Sequence, residues 1–496
     1  MGDWDEAQCL AAMRGQRLPD EASLAKWLPP LAATVRGIRH DLLFATSPEV
    51  VAFCSKPTQF RARLARARHA RLIMSDMVPD MTESAPEDYP YCIWHPQVAS
   101  EATYRELYKR YPSLRYQIGR ACAVAGYIEL YEDMDLLPDA SIAEEARESK
   151  HGAAIFDKVM SQPMRYAIMD DYTLSVSETP EGPAFLNRDA ATIPSFQRVY
   201  SVNSIPDMDE PFDIAEDLHI GESNPESGLH YRLDQVELLY TPLPADLPVV
   251  DKSLLICMAA YEGNVDRYAR LRRPIRPSTT ELACIVRGVY HSTTFAKWWS
   301  VKLETCDMKT GPDTGSIEKA INARAIMCND LSRVPPDLEK DHWEWAAPYM
   351  IWWPLKPSYE TLEKLLQVRP SMKMAVAHAC IACDYQRIFD SLDMQADALL
   401  AKEARLSHNK HYLEYLQRCA DEQGEELLNC EDPSAEFIHV GAVTRFDKEP
   451  TTLWLPPAVG AGNMDWNLGG GLYDDLEARS AAIELFLWAH RGQSGT

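Results

Sequence analysis

The chain has 496 residues and a formal net charge of −24, with 46% hydrophobic and 25% charged residues. That length can bury a large core and predicts two to four domain-sized units. The acidic balance excludes a protein whose whole surface grips nucleic acid. No run of about eighteen apolar residues is present, so no membrane-spanning helix is expected.

The N-terminal "MGDWDEAQCLAAMRGQ" is acidic and has no apolar signal core. Glu6 stands where a myristoylation site needs Ser or Thr, so a cytoplasmic protein is expected. Residues 1–80 read as an N-terminal helical region, with a faint helical-repeat unit at "HDLLFATSPEVVAFCSKP". "RARLARARHARL" then places Arg61, Arg63, Arg66, Arg68 and Arg71 together without an acid among them. Against so acidic a background this is a candidate docking patch for an anionic partner. A helix face paired with neighbouring acids is the plainer reading.

"YPYCIWHPQVAS" opens a helical-repeat unit over residues 81–175. Pro96 predicts an ordered loop here rather than a helix, with Tyr91, Trp94 and His95 as a candidate binding wall or as packing. "ACAVAGYIELYEDMDLLPDASIAEEARES" at 121–149 reads as helix, turn and helix. It matches "ACIACDYQRIFDSLDMQADALLAKEARLS" at 379–407 without a gap, at an offset of 258 positions. Asp139 and Asp397 are placed to cap the second helix of each copy. Glu144 and Glu145 read as a helix face, since Glu145 recurs as Glu403. "RYAIMDDYTLSVSE" then sets Asp170, Asp171 and Tyr172 after an apolar stretch with helical character. A desolvated carboxylate there would suit bidentate recognition of a guanidinium. Helix termination is the duller explanation.

Residues 176–250 form an acidic, Pro-rich insertion, and loops of that length are usually functional or disordered. A third repeat unit occupies 251–333, where "AAYEGNVDRY" has the frame of an ankyrin first helix. Arg267, Arg270, Arg272, Arg273 and Arg276 form a second basic cluster beside it. A Trp-rich insertion at 334–370 carries Trp343, Glu344 and Trp345 in "HWEWAAPYMIWWP", either a cap on the stack or an apolar pocket with one carboxylate. Residues 371–430 hold the last repeat. Residues 431–496 read as a C-terminal cap with a short strand pair and a closing helix. The fold class expected is mainly α: degenerate ankyrin-like helix-turn-helix repeats with long irregular insertions, stacked because one unit alone cannot bury its apolar face.

Strong catalytic signatures are missing: no phosphate loop, nucleophile elbow, zinc-binding helix motif or dinucleotide fingerprint. Cys380 and Cys383 form a lone CxxC pair without a partner pair, which favours buried thiols over a metal site, and no cofactor or metal is expected. "MCNDLSRVPPD" has the wrong spacing for a terpene-cyclase metal motif. The stretch from "YCIWHP" through 121–149 to "MRYAIMDDYT", residues 90–175, resembles a family of fungal proteins long catalogued as hypothetical, some of which are arginine-containing cyclodipeptide synthases. The resemblance implies a transferase of secondary metabolism that joins arginine to a second amino acid, both drawn from aminoacyl-tRNA. It would need acidic recognition and a base, for which Asp170, Asp171 and Glu344 are candidates. Trp94, His95, Tyr172, Trp343 and Trp345 would bind substrate, and the two arginine clusters would dock the RNA. No membrane or DNA partner is implied. The alternative is a non-catalytic helical-repeat scaffold for protein–protein interaction.

Overall fold

The computed structural model describes residues 5–81, 85–187, 241–250, 252–274, 279–305, 312–336 and 346–424, with the single positions 238 and 277. The described chain is mainly α-helical, with one two-stranded sheet. It divides into two compact units, Met1–Lys252 and Ser253–Thr496. The segment over 1–80 and the repeat over 81–175, separate in the sequence reading, therefore fall in one unit. The proposed strand pair and closing helix of 431–496 lie outside the described residues. Among the described residues no helix is long and apolar enough to cross a membrane.

The first unit begins with α1 (Glu6–Met13), α2 (Glu21–Lys26), α3 (Leu28–His40), α4 (Leu42–Ala45), α5 (Pro48–Ser55) and α6 (Arg61–Met74). Side chains cap several of these: Asp5, Asp20, Asp41 and Ser47 each accept from a backbone N–H in the first turn that follows. Helix α3 packs on α1 and α6. It is followed by α7 (Glu101–Arg110), α8 (Arg115–Ala125), α9 (Ile128–Asp133), α10 (Ala140–Glu148) and α11 (Ala153–Met160). Small residues on α8, among them Gly119, Ala121, Cys122 and Ala123, are buried and let α10 approach. Asp139 caps α10 through Ile142 N–H at 2.8 Å, as its position predicts.

Residues 165–171 depart from the helical character expected of them. Met169–Asp170 forms β1, antiparallel to β2 (Ser175–Val176), with Met169 opposite Val176. The cause is tertiary. The second oxygen of the Asp139 carboxylate accepts from the N–H groups of Ile168 and Met169, and Ser141 donates to the Met169 carbonyl.

The second unit repeats the first. Its described helices are α12 (Lys252–Tyr261), α13 (Val265–Leu271), α14 (Thr279–His291), α15 (Thr293–Thr305), α16 (Pro312–Met327), α17 (Tyr359–Val368), α18 (Lys373–Cys383), α19 (Gln386–Ser391), α20 (Ala398–Leu406) and α21 (His411–Gln423). From α7 to α10 both ends of every helix recur at the 258-residue offset in α17 to α20, and α11 and α21 share their start. The duplication therefore extends well beyond the 29 residues that match in sequence.

It also extends to connections that sequence identity hides. Asp76, at φ 62°, accepts from Ser100 N–H and the Thr103 hydroxyl at 2.7 and 2.8 Å. Asn329, at φ 64°, accepts from Ser358 N–H and the Thr361 hydroxyl at the same two distances. Tyr127 donates to the Ala99 carbonyl and Tyr385 to that of Pro357. Arg39 reaches the Cys92 carbonyl, while Tyr290, its positional equivalent, reaches that of Met350. Because the second unit fills the Asp76 position with an amide, Asp76→Asn should change stability by less than about 1 kcal/mol. Asp76→Ala, which strands two donors, should cost about 1–2 kcal/mol. Urea unfolding of the two variants checks this; equal losses would show that the hydrogen bonds contribute nothing.

Candidate functional site

A set of charged side chains lies inside the first unit. Arg120 sits in the middle of α8, in the run "GRACAVA", and is fully buried. Its guanidinium donates through Nη1 and Nη2 to the two carboxylate oxygens of Asp171, at 2.6 and 2.9 Å. Its Nε donates to Glu145 on α10 at 3.0 Å. The guanidinium carbon lies 4.7 Å from the centroid of the Trp94 ring, and the Tyr91 hydroxyl donates to Asp171 at 2.5 Å. The 91–94 loop, α8, α10 and the turn after β1 thus meet at one cation.

Burial is the main influence on the acid. It pushes Asp171 up to about 7, against the opposing pull of Arg120 and of the Tyr91 hydroxyl. Burial also works against the charge on Arg120, but Asp171 and Glu145 outweigh it and hold the guanidinium protonated. Tyr91 is held well above the ordinary phenol value, by burial first and then by the Asp171 charge. The arrangement is a bidentate, charge-assisted clasp in an apolar setting. Two acids around one base leave a formal excess of negative charge, and Asp171 is the member that burial drives towards its neutral form.

Asp171 and Trp94 are brought together at Arg120, the first by hydrogen bonds to the guanidinium and the second through its ring. The guanidinium beside Asp171 is the chain's own. Asp170 is exposed and accepts from the Tyr172 N–H at 2.9 Å, within the turn. Tyr172 is half-buried. His95 is half-buried, faces His40 edge-on at 5.8 Å, and gives its carbonyl to Arg39 at 2.8 Å. Trp343, Glu344 and Trp345 lie outside the described residues. Glu144 and Glu145 do form a helix face, but a buried one: Glu144 pairs with Arg147 at 2.6 Å and accepts from Asn187 N–H.

The first basic cluster is largely engaged by its own unit. Arg61 pairs with Asp88 and Glu87, Arg66 donates to the Glu87 carbonyl, and Arg68 donates to that of Ala45. Arg71 is buried and donates to Gln97 and Ser75. Arg63 is half-buried. In the second cluster Arg270 is exposed, whereas Arg267 and Arg273 are half-buried. Arg272 lies 5.7 Å from the ring centroids of both Trp298 and Trp299, and Arg276 lies outside the described residues. Cys380 and Cys383 are free thiols, pushed by burial up to about 12 and about 11.

The second unit shows the same slot with different chemistry. His378 takes the place of Arg120, Trp352 that of Trp94, Tyr349 that of Tyr91 and Glu403 that of Glu145. The His378 ring is fully buried, stacks on Trp352 at 5.4 Å and 10°, and its Nε2 lies 2.6 Å from the Tyr349 hydroxyl. Arg120 is therefore the site residue that sequence reading missed. The signal available was the long ionisable side chain at the middle of a helix otherwise made of small and apolar residues, recurring as a histidine at the same place in the second copy.

A different imidazole predicts that the second unit is sensitive to acid. His291, at the end of α14 and 4.8 Å from the Trp353 ring, is held down to about 4 by burial first, then by Arg287 and Arg324. A histidine depressed in the folded state contributes fully above its unfolded value of about 6.5 and loses that contribution as pH falls towards 4. The second unit should lose about 1–2 kcal/mol across that window, less than the whole shift because the ring is partly open to solvent. Urea midpoints at pH 7 and pH 5, with His291→Gln flattening the difference, measure it; an unchanged pH dependence in that variant would refute it.

Comparison with known proteins bears on the same stretch. A family model described as the YKP1 C-terminal domain matches residues 94–194, which hold Trp94, Arg120, Glu145 and Asp171. No curated protein and no solved structure matches the chain. The match covers about a fifth of the 496 residues, so what it establishes is a similarity between residues 94–194 and the YKP1 C-terminal domain.

Proposed function

We propose that the chain is a duplicated helical-repeat scaffold that binds a partner protein, with the Arg120 cluster as the fastening of its first unit. The observation that carries this reading is the bidentate pairing of Asp171 with Arg120 inside the unit. A carboxylate spent on an internal guanidinium is not offered to an arginyl substrate. Nor is it free to act as a general base, because a base must lie within hydrogen-bond reach of the proton it takes.

A second reading is arginine cyclodipeptide synthesis from aminoacyl-tRNA. It is favoured by the exposed carboxylate of Asp170 on the turn beside Tyr172, and it retains the resemblance of residues 90–175. One experiment separates the two. The purified chain is incubated with charged tRNA, with and without ribonuclease, and the mixture is searched by mass spectrometry for arginine-containing cyclic dipeptides. The scaffold reading expects none from folded protein. A ribonuclease-sensitive cyclic product that Asp170→Asn abolishes would replace it with the synthase.

A further inference from the structure

The second unit carries an open groove of about 550 Å³ between α13 and α15. Val265, Trp298 and Val301 form an apolar floor, with Lys297 and Lys302 at its rim. Val301 is 46% exposed, high for a branched apolar side chain on a helix. The surrounding charge runs against that of the chain. The two charged residues that line the groove, Lys297 and Lys302, are both cations, in a chain with 50 basic and 74 acidic residues. The corresponding turn of the first unit, α4, also leaves an apolar side chain outside: Leu43 is 82% exposed.

We propose that this groove docks an acidic segment of a partner protein, which seats an apolar side chain on Val265, Trp298 and Val301 and sets carboxylates against Lys297 and Lys302. The inference rests on the scaffold reading and names its binding surface. An apolar floor with a cationic rim fits an amphipathic segment, where the floor supplies affinity and the rim supplies orientation and choice of partner. Nucleic acid is the poorer fit. The groove offers one aromatic ring, Trp298, beside the aliphatic Val265 and Val301, whereas a single strand of nucleic acid is held by a series of rings that stack successive bases.

The test uses the full chain and a fluorescent, glutamate-rich peptide of about sixteen residues with leucines at helical spacing, followed by anisotropy. Saturable binding is expected. It should weaken about tenfold in Lys297→Glu, and a lysine-rich peptide with the same leucine pattern should bind at least about tenfold more weakly. Lys297 is exposed, so its replacement should leave the fold intact, which circular dichroism checks. Val301→Asp, on the floor, is a second and independent variant. Equal binding of both peptides, indifference to both substitutions, or no binding at all overturns the inference. Lys297-dependent binding of an oligouridine with no peptide binding overturns it in favour of RNA. The peptide outcomes leave the scaffold reading itself in place, and it falls if the charged-tRNA reaction yields a cyclic dipeptide.

Discussion

Replacing Arg120 with leucine is expected to destabilise the first unit by about 3–5 kcal/mol, the cost of removing one partner from a buried ion set. The loss does not arise because the ion pairs are strong in net terms. Desolvation of three charged groups offsets most of their mutual attraction, and an apolar set of equal volume would serve stability about as well. It arises because the variant leaves Asp171 and Glu145 buried, close together, and without their cation. Asp171→Asn should be far milder, about 1–2 kcal/mol. Arg120 then keeps Glu145, and burial already drives Asp171 towards its neutral form at about pH 7. Hydrogen exchange across α8 and α10 in the two variants reads this out within the unit concerned, where a global melt of two units would not. Comparable protection in Arg120→Leu and the wild-type chain would mean that the cluster fastens nothing.

That contrast also marks how far the sequence could be read. The helical class, the pairing of 121–149 with 379–407, the capping role of Asp139 and the loop character of the Tyr91–Trp94 stretch follow from local rules: small and apolar periodicity, a capping side chain, a proline. The partner of Asp171 does not follow. Arg120 is separated from it by 51 positions, and no local rule brings a strand turn onto the middle of a helix. The strand itself was hidden for the same reason, since Ile168 and Met169 are extended because Asp139 holds their amides from across the unit. The wider duplication was hidden by substitution. Asp76 and Asn329, Arg39 and Tyr290, and His69 and Asn322 play matching parts with different side chains, the last pair at 3.0 Å from the carbonyls of Asp88 and Ala346. Geometry preserves the role where identity does not. The arginine clusters show the opposite limit: composition leaves open whether Arg61 and Arg71 are displayed to a partner or paired at home, and it is Asp88 and the Gln97 amide that hold them.

The duplication supplies the second large expected effect, because both units close on a glycine at the same place. A Cβ on Gly37 of α3 would lie 2.0 Å from the carbonyl oxygen of Ala12 on α1, and a Cβ on Gly288 of α14 would lie 1.9 Å from that of Ala260 on α12. The obstacle is backbone in both cases, so no side-chain rotation relieves it, and the packed helix must move by about 1 Å to restore ordinary contact. Two effects then compete in Gly288→Ala. Alanine gains about 1 kcal/mol in helix propensity, while overpacking costs about 1–3 kcal/mol and more where backbone must shift. At 1.9 Å the second effect prevails, and a net loss of about 2 kcal/mol or more is expected in the second unit, with the same sign for Gly37→Ala in the first. Gly315 on α16 provides the control within the same unit. A Cβ there meets nothing within 4 Å, so Gly315→Ala should show the propensity gain alone and stabilise by up to about 1 kcal/mol. Urea unfolding of the three variants, with hydrogen exchange assigning each change to its unit, gives opposite signs if close approach of paired helices holds the units together. Stabilisation by Gly288→Ala comparable to that by Gly315→Ala would show that α12 and α14 do not pack at this distance in solution.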